Sequence, residues 1–220
     1  MISICVTCKN RSYVTYNDDV IIRLFPKCVT SIVNAARYVD EEMELVVSDW
    51  MSDDWAPDEW LPKIVNHSMP YKIVDVKSKK FSRGKGRNIA FSYAKGDKIF
   101  FLDTDMLIDS PSVFHQGKFV IEEFNGAFFP ICRSFYDHQH IDDWERTTGF
   151  GNFMTSRENM RKVGKWQEKT SWGGEDDNMF LRLSRTVPVI RKDVEGFYHQ
   201  WHPEDEKKPV KKGFWRRLFK

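Results

Sequence analysis

Long apolar runs, abundant cysteine and a strong net charge are all missing from this 220-residue sequence. No apolar stretch approaches the roughly 18 residues of a membrane-spanning helix, and the start, MISICVTCKN, resembles no secretory signal. Four cysteines are too few for a disulfide scaffold. The 34 basic and 32 acidic residues leave a net charge of +2, which by itself does not indicate a nucleic-acid-binding protein. We therefore expect a soluble, cytoplasmic protein that binds no nucleic acid.

Short β-branched or aromatic runs alternate with longer helical patterns, and the length fits about one domain. Strands are predicted at 2–8, 44–48, 71–76, 98–102, 127–132 and 187–190, and helices at 26–39, 57–66, 83–94, 111–124 and 175–185. This alternation predicts a single α/β domain with a mostly parallel central sheet flanked by helices. We assign that domain to residues 1–203 and a basic, amphipathic C-terminal tail to residues 204–220.

Polar residues follow the predicted strands, at the edge of an α/β sheet where ligands bind. Thr7 and Arg11 follow the first strand, Asp49 follows the second, and Asp103 and Asp105 follow the strand at 98–102. Residues two apart on an extended chain point to the same side, so the last two carboxylates can face one cation. Oxygen ligands suit Mg²⁺ or Mn²⁺. A solvated turn with incidental acids is the alternative.

The segment SWGGEDDNMFLRL places a tryptophan and two glycines before three consecutive acids. Glu175, Asp176 and Asp177 fall in the first turn of a predicted helix, where the helix dipole favours ionised carboxylates. An ionised carboxylate beside Trp172 could remove the proton of a sugar hydroxyl. The alternative is that these acids only stabilise the start of the helix.

Three further patterns contain basic, histidine or cysteine residues. The basic segment 77–90 could bring cations to a diphosphate, although an RNA-binding stripe and a solvated face are alternatives. In GFYHQWHP, the imidazoles of His199 and His202 could bind a metal and would favour Mn²⁺ over Mg²⁺, with a structural role as the alternative. Cys5 and Cys8, three apart on a strand, face opposite sides and are expected to be buried cysteines rather than a zinc site.

Together these motifs resemble the nucleotide-sugar glycosyltransferases of the GT-A fold. Residues 81–107 are similar to the segment of β-1,4-galactosyltransferases that ends in their metal motif. WGGEDDN resembles their acceptor-site and catalytic-base motif, which bacterial family 2 chondroitin-type polymerases share. Residues 151–168 are similar to the family 2 segment that precedes this motif. The resemblance spans nearly the whole chain and implies a Rossmann-like GT-A domain.

The resemblance implies an inverting, metal-dependent transferase that moves a hexose or N-acetylhexosamine from a UDP-sugar to a glycan or lipid-linked oligosaccharide. Asp176 would be the general base; retaining GalNAc-transferases have Asn at this place, so Asp favours inversion. The implied ligands of Mn²⁺ (or Mg²⁺) are Asp103, Asp105, His199 and His202. The implied donor contacts are Thr7, Arg11, Asp49, Phe81, Arg83, Asn88, Asp103 and Thr104, and the implied acceptor contacts are Trp172, Gly174, Glu175 and Asp177. A non-catalytic nucleotide-sugar or carbohydrate-binding module on the same fold is the alternative.

The C-terminal tail is rich in basic residues, and Phe214, Trp215, Leu218 and Phe219 are spaced for one helical face. Such a segment can lie on an anionic membrane surface, which would suit a lipid-linked acceptor at the inner face of a membrane. A frayed, solvated C-terminus is the alternative.

Overall fold

A computed structural model describes residues 1–16, 20–78, 80–171 and 173–203. Trp172 and the predicted tail at 204–220 lie outside the described residues. Within the described part of the chain, no helix is long and apolar enough to cross a membrane.

The helices and strands alternate along the chain much as the sequence predicts. The strands are β1 (Ile2–Cys8), β2 (Val14–Tyr16), β3 (Val20–Ile22), β4 (Met43–Asp49), β5 (Tyr71–Asp75), β6 (Lys98–Leu102), β7 (Met106–Ile108), β8 (Ala127–Phe135), β9 (Asp143–Arg146), β10 (Phe153–Ser156) and β11 (Val189–His199). The helices are α1 (Leu24–Ala36), α2 (Pro57–Val65), α3 (Arg83–Tyr93), α4 (Ser112–Phe124), α5 (Arg157–Val163) and α6 (Glu175–Ser184). Every predicted element is present. The prediction missed α5 and five strands of three or four residues, and β11 runs nine residues beyond its predicted end.

The main sheet has the order β5-β4-β1-β6-β10-β8-β11-β7, with β9 paired to β8. Its first four strands are parallel, as predicted. Beyond β6 the sheet is mixed. Strand β10 is antiparallel to both of its neighbours, and β11 is parallel to β8. Strand β7 pairs antiparallel with β11, and β9 pairs antiparallel with β8. Strands β2 and β3 form a separate hairpin.

Helices cover both faces of the sheet, because the side chains of each buried strand alternate between two hydrophobic clusters. On β1, Cys8 packs with α1, α2 and α4, whereas Cys5 packs with α3, α5 and α6. Cys5 and Cys8 are buried and free, which confirms the prediction of buried strand cysteines, and Cys28 and Cys132 are also buried and free. On α6, Met179 and Leu183 are fully buried one turn apart. Each contributes about 1.5–3 kcal/mol of hydrophobic stabilisation, which fixes α6 and the acids of its first turn against the sheet.

The carboxyl ends of β1, β4 and β6 lie side by side, since Cys8 pairs with Asp49 and Val6 pairs with Leu102. The loops after β1 and β4 are joined by hydrogen bonds, including one of 2.6 Å from Asn10 Nδ2 to Asp53 Oδ1. The segments that follow these strands therefore share one edge of the sheet, as expected.

Candidate active site

One carboxylate and two imidazoles meet just beyond the end of β6. Asp105 Oδ2 lies 3.6 Å from His199 Nε2 and 3.5 Å from His202 Nε2. The pairing of β11 with β7 brings His199 beside Met106, and the backbone N–H of Gln200 donates to the carbonyl of Asp105 at 2.7 Å. One ligand atom from each of the three side chains lies within 4.8 Å of the others. We call this group the Asp105 cluster.

The Asp105 cluster is suited to a divalent cation. Burial opposes the ionised form of Asp105, but His199 and His202, when protonated, hold its pKa well below the usual range. A carboxylate that stays ionised beside two imidazole nitrogens is a mixed donor set for a borderline cation such as Mn²⁺. All three side chains are largely buried. The residues present therefore fit a bound metal ion.

Asp103 points to different neighbours from Asp105. The strand ends at Leu102, and the intervening residues turn, so the alternation that would place both carboxylates on one side does not continue. Asp103 Oδ1 accepts a 2.8 Å hydrogen bond from Arg87 Nη2, and its backbone N–H donates to Asn152. The structure thus brings Asp105, His199 and His202 together without Asp103, whose role as a metal ligand stays a prediction.

Arg87 links the acids after β6 to the acids of α6. It lies on the second turn of α3 and is only 1% exposed. Its guanidinium donates to Asp103 at 2.8 Å and to Asp176 Oδ1, and it lies 4.3 Å from the ring centroid of Trp166. A buried guanidinium between two carboxylates holds both at a fixed separation, because its donors form a rigid planar fork.

Asp176 stands in the first turn of α6, which begins after Gly174. Gly174 has φ of +84°, a left-handed conformation that favours glycine. Burial would raise the pKa of Asp176, but the charges of Arg87 and Arg83 outweigh it and lower that pKa. The carboxylate is 22% exposed and therefore remains open to a substrate while ionised at neutral pH. An ionised carboxylate that a substrate can reach is able to accept a proton.

The acids on either side of Asp176 differ from it. Glu175 is buried, and its Oε1 accepts from Arg83 Nη1 at 3.2 Å, while its Oε2 has no hydrogen-bond partner among the described residues. Burial and the charge of Asp176 raise the pKa of Asp177. The three acids of the first turn of α6 therefore differ. Asp176 contacts two arginines, Glu175 is buried with one oxygen unpaired among the described residues, and Asp177 protonates more easily.

Gly151 makes the approach of these groups possible. A Cβ atom at this position would lie 2.6 Å from Arg87 Nη2 and 3.1 Å from a carboxylate oxygen of both Asp103 and Asp176. Any side chain here would push the three apart. The loop before β10 is thus part of the site, although no local pattern in the sequence singles out this glycine.

Several predicted donor residues lie where β1, β4 and α3 meet. Thr7 Oγ1 is 3.0 Å from Ser48 Oγ, and Phe81 packs edge-to-face on Trp50 with ring centroids 5.2 Å apart. The Nε1 of Trp50 is buried without a hydrogen-bond partner in the described part of the chain. Thr104 is buried, and Arg11 lies at the same edge, in the loop after β1. Thr7, Trp50 and Phe81 lie at the strand ends on the α3 side, since a Cβ atom at Gly86 of α3 would lie within 3 Å of both Thr7 and Trp50.

Two predicted donor residues are engaged within the protein. Asp49 is buried, and it accepts hydrogen bonds from the backbone N–H and the hydroxyl of Ser52 at 3.0 and 2.6 Å. Burial raises its pKa. The amide of Asn88 exchanges hydrogen bonds with the backbone of Trp166 at 3.0 and 2.8 Å and donates to Glu168 at 2.9 Å. Both side chains anchor loops at the site, and their donor contacts stay predictions.

Comparisons of sequence point to one group of enzymes. A family model described as "Glycosyltransferase like family 2" matches residues 21–123. Human chondroitin sulfate N-acetylgalactosaminyltransferase 2 is 27% identical over 155 residues, and human chondroitin sulfate N-acetylgalactosaminyltransferase 1 is 26% identical over 145 residues. These alignments cover 60% and 56% of this chain, and the chain spans only 28% and 27% of the two relatives.

Solved structures extend the similarity to the whole fold. Staphylococcus aureus TarS, residues 1–349 in complex with UDP-GlcNAc, superposes with a TM-score of 0.69 at 15% identity, covering 93% of this chain and 59% of that chain. The resemblance to GT-A glycosyltransferases of family 2 is confirmed. The mannosyltransferase PcManGT from Pyrobaculum calidifontis, in complex with GDP-Man and Mn²⁺, has a TM-score of 0.62 at 14% identity over 90% of this chain and 56% of that chain.

Within this GT-A fold, the charged side chain whose contacts our sequence analysis missed is that of Arg87. From the sequence, the basic segment that contains Arg87 was expected to contact a diphosphate or RNA, or to form a solvated face. In the structure Arg83 and Arg87, one helical turn apart, instead face the acids of α6. The one available signal is this i, i+4 spacing on a predicted helix, which places both guanidinium groups on one face.

Proposed function

We propose that this protein is an inverting, metal-dependent glycosyltransferase that moves a hexose or N-acetylhexosamine from a UDP-sugar to a hydroxyl of a glycan or lipid-linked oligosaccharide. The observation that supports it most is the position of Asp176. Arg87 joins Asp176 to Asp103, two residues from the Asp105 cluster. A candidate base and a candidate diphosphate site thus lie at the same edge of the sheet.

The nucleotide part of the donor is assigned to the ends of β1 and β4. Thr7 and Phe81 offer a hydroxyl and an aromatic ring there. TarS has been solved with UDP-GlcNAc, and the named sequence relatives are N-acetylgalactosaminyltransferases. The TarS complex supports UDP as the nucleotide, and both findings support an N-acetylhexosamine as the leading donor sugar.

Asp105, His199 and His202 would hold Mn²⁺ (or Mg²⁺), which when bound supplies Lewis-acid stabilisation of the charge on the diphosphate. Arg83 is 32% exposed and contacts the acids of α6 with one nitrogen, so other donors of its guanidinium can reach a phosphate. Lys85 lies on the same first turn of α3, which adds positive charge beside the leaving group.

Asp176 then performs the proton transfer. The acceptor hydroxyl gives its proton to the Asp176 carboxylate while its oxygen forms a bond to the anomeric carbon. The bond between that carbon and the phosphate oxygen breaks, and UDP leaves with the bonding electron pair. Attack from the face opposite the leaving group inverts the anomeric centre. Arg87 keeps Asp176 ionised before the reaction because its charge favours the carboxylate over the neutral acid.

The acceptor sugar is assigned to the N-terminus of α6, where Gly174, Glu175 and Asp177 surround the base. Membrane attachment through the tail at 204–220 remains part of this proposal. Flotation of the full chain with anionic liposomes, compared with the Trp215→Ser/Phe219→Ser variant, tests it, and equal flotation of both would exclude it.

The experiment for the function is incubation of the protein with Mn²⁺ and a panel of UDP-sugars while UDP release is measured. We expect release of UDP from at least one UDP-hexose or UDP-N-acetylhexosamine and loss of this release when EDTA is added. The Asp105→Ala variant should lose both UDP release and metal-dependent UDP binding. UDP-sugar binding without release on any acceptor would favour the non-catalytic binding module instead. RNA binding, measured in parallel, is expected to be absent.

A further inference from the structure

An open groove of about 840 Å³ runs along α1, on the face of the sheet that α1 and α2 cover. Lys27 and Asn34, which lie on one exposed stripe of α1, line it. Trp55, in the loop before α2, and Lys63, on α2, line it as well, and so do residues 107–109 at the end of β7. Its volume is within the range of about 300–1,000 Å³ that is usual for ligand sites. We call it the α1 groove.

The α1 groove has an excess of positive charge. Three cationic side chains line it, those of Arg23, Lys27 and Lys63, against one acid, Asp109. All three cationic side chains are exposed, and none of them forms an ion pair with a described residue. A concave surface lined by charges of one sign attracts ligands of the opposite sign. The charge of the groove therefore indicates an anionic ligand.

Arg23 is oriented at one end of the groove by an aromatic ring. Its guanidinium carbon lies 5.5 Å from the ring centroid of Trp55. A guanidinium group that stacks on an indole keeps its planar fork of N–H donors available for a carboxylate or a sulfate. Lys27 follows four residues later and therefore lies on the same side of the helix. This end of the groove presents two adjacent positive charges.

The same end of the groove is close to the Asp105 cluster. The carbonyl of Leu24, the residue after Arg23, accepts a 3.0 Å hydrogen bond from Gln200 Nε2, and the backbone N–H of Gln200 donates to the carbonyl of Asp105 at 2.7 Å. Because β1 and β4 are parallel, α1 must run back across the sheet between them. Asn34 therefore lies roughly 15 Å from Leu24 along the helix axis. The groove leads away from the edge of the sheet that holds the candidate active site.

The layout of the groove suits an elongated ligand with several negative charges. Lys63 lies six residues into α2, roughly 9 Å along its axis from the loop that contains Trp55, so the positive charge is spread along the groove. Thr30 and Asn34 add a hydroxyl and an amide that can hydrogen-bond to sugar hydroxyls, and Ile64 adds apolar surface. The tail at 204–220 of this chain is itself basic and does not complement the groove.

We propose that the α1 groove binds the extended part of an anionic glycan, which has carboxylates or sulfates spaced along its chain. One end of that glycan would reach the edge of the sheet where the candidate base lies. The inference rests on the proposed function for the role of the glycan as the acceptor. Binding to the groove needs no turnover, so it can be measured separately.

The test measures binding of the full chain to oligosaccharides by calorimetry, without donor, at about 50 mM and about 200 mM NaCl. The probes are an unsulfated chondroitin oligosaccharide, a chondroitin sulfate oligosaccharide and a neutral chitin oligosaccharide of the same length. The groove variants are Arg23→Gln/Lys27→Gln and, on the other helix, Lys63→Gln. Arg161→Gln/Arg185→Gln is the matched control, because it removes two exposed cations at the ends of α5 and α6, outside the groove.

We expect Arg23→Gln/Lys27→Gln to weaken binding of the anionic oligosaccharides about tenfold, since it removes two exposed ion pairs. Lys63→Gln should weaken it about threefold, and the control should stay within about twofold of wild type. The higher salt concentration should reduce these differences. In the UDP-release assay, the same groove variants should raise the KM of the long anionic acceptor while kcat and the affinity for UDP stay at wild-type values.

Wild-type affinity in both groove variants would overturn this inference, and so would an equal loss in the control. Equal affinity of the wild-type chain for the anionic and the neutral oligosaccharides would also overturn it. Tighter binding of a single-stranded oligonucleotide or of polyglutamate, lost in the groove variants, would assign the groove to another class of ligand. Melting temperatures of all variants show whether they fold, and Lys63→Gln alone decides if the double variant does not.

The binding assay also separates this inference from the proposed function. If the wild-type chain binds the anionic oligosaccharides through the groove but releases UDP from no donor, the proposed function fails and the binding site stands. If it releases UDP and the groove variants match wild type in every assay, the proposed function stands and this inference fails.

Discussion

Arg87→Gln removes a buried guanidinium that two carboxylates share. Breaking a buried ion pair from one side costs about 3–5 kcal/mol, because a charge is left without compensation. Asp103 and Asp176 keep some contact with water, so we expect the lower end, about 3 kcal/mol. With a urea m-value of roughly 2 kcal/mol/M, the midpoint of urea unfolding should fall by about 1.5 M.

The loss should depend on pH in a defined direction. Although burial opposes ionisation, Arg87 and Arg83 lower the pKa of Asp176 in the folded protein. The stabilisation from this pairing is therefore fully present above the unfolded-state pKa of about 3.9 and is lost as pH falls through the lower folded pKa. The difference in unfolding free energy between wild type and Arg87→Gln should be largest near neutral pH and should shrink below about pH 4.

Urea unfolding at several pH values between 3 and 7, followed by tryptophan fluorescence, measures both effects. Arg83→Gln is the matched control, because Arg83 lies on the same helix face and is partly exposed, and it should cost about 1 kcal/mol or less. Arg87→Lys keeps the charge without the planar fork and should fall between the two. The reasoning would be refuted if Arg87→Gln lowered the unfolding free energy by less than 1 kcal/mol, or by the same amount at pH 3 and pH 7.

Two further substitutions test how the loops hold the site. Gly151→Ala forces a methyl group between Arg87, Asp103 and Asp176 and should cost about 1–3 kcal/mol in stability by overpacking and lower the rate of UDP release. Wild-type stability and wild-type UDP release in this variant would contradict the placement of Gly151. Asn88→Ala removes the hydrogen bonds to Trp166 and Glu168. It should lower the melting temperature while UDP affinity stays within about twofold of wild type. A loss of UDP affinity at an unchanged melting temperature would show instead that Asn88 contacts the donor.

The long elements were predictable because their signals are local. Strands β1 and β6 are continuous apolar runs, and their bounds match the prediction. The elements that escaped prediction are short: β7 has three residues, β9 and β10 have four, and α5 has seven. Elements this short contain at most two periods of a helical or alternating pattern, so tertiary pairing decides them. The same pairings make the second half of the sheet mixed.

The acids and histidines of the site were predictable for a similar reason, since each stands at the end of a strand or helix. Their partners were not. Arg87 pairs with a carboxylate 89 residues away and with another 16 residues away, and no spacing in the sequence records either contact. The turn after Leu102 separates Asp103 from Asp105, which an extended-chain argument cannot foresee. Likewise Asp49 turns inward to Ser52.

The most direct measurement compares Asp176→Asn with wild type in two assays on the same preparation: Mn²⁺-dependent binding of a UDP-sugar and the rate of UDP release on an acceptor. The amide keeps the size of the side chain but cannot take a proton, so we expect affinity within about threefold of wild type and a turnover lower by at least 10². Turnover that survives in this variant, or affinity and turnover lost to the same degree, would contradict the assignment of Asp176 as the base.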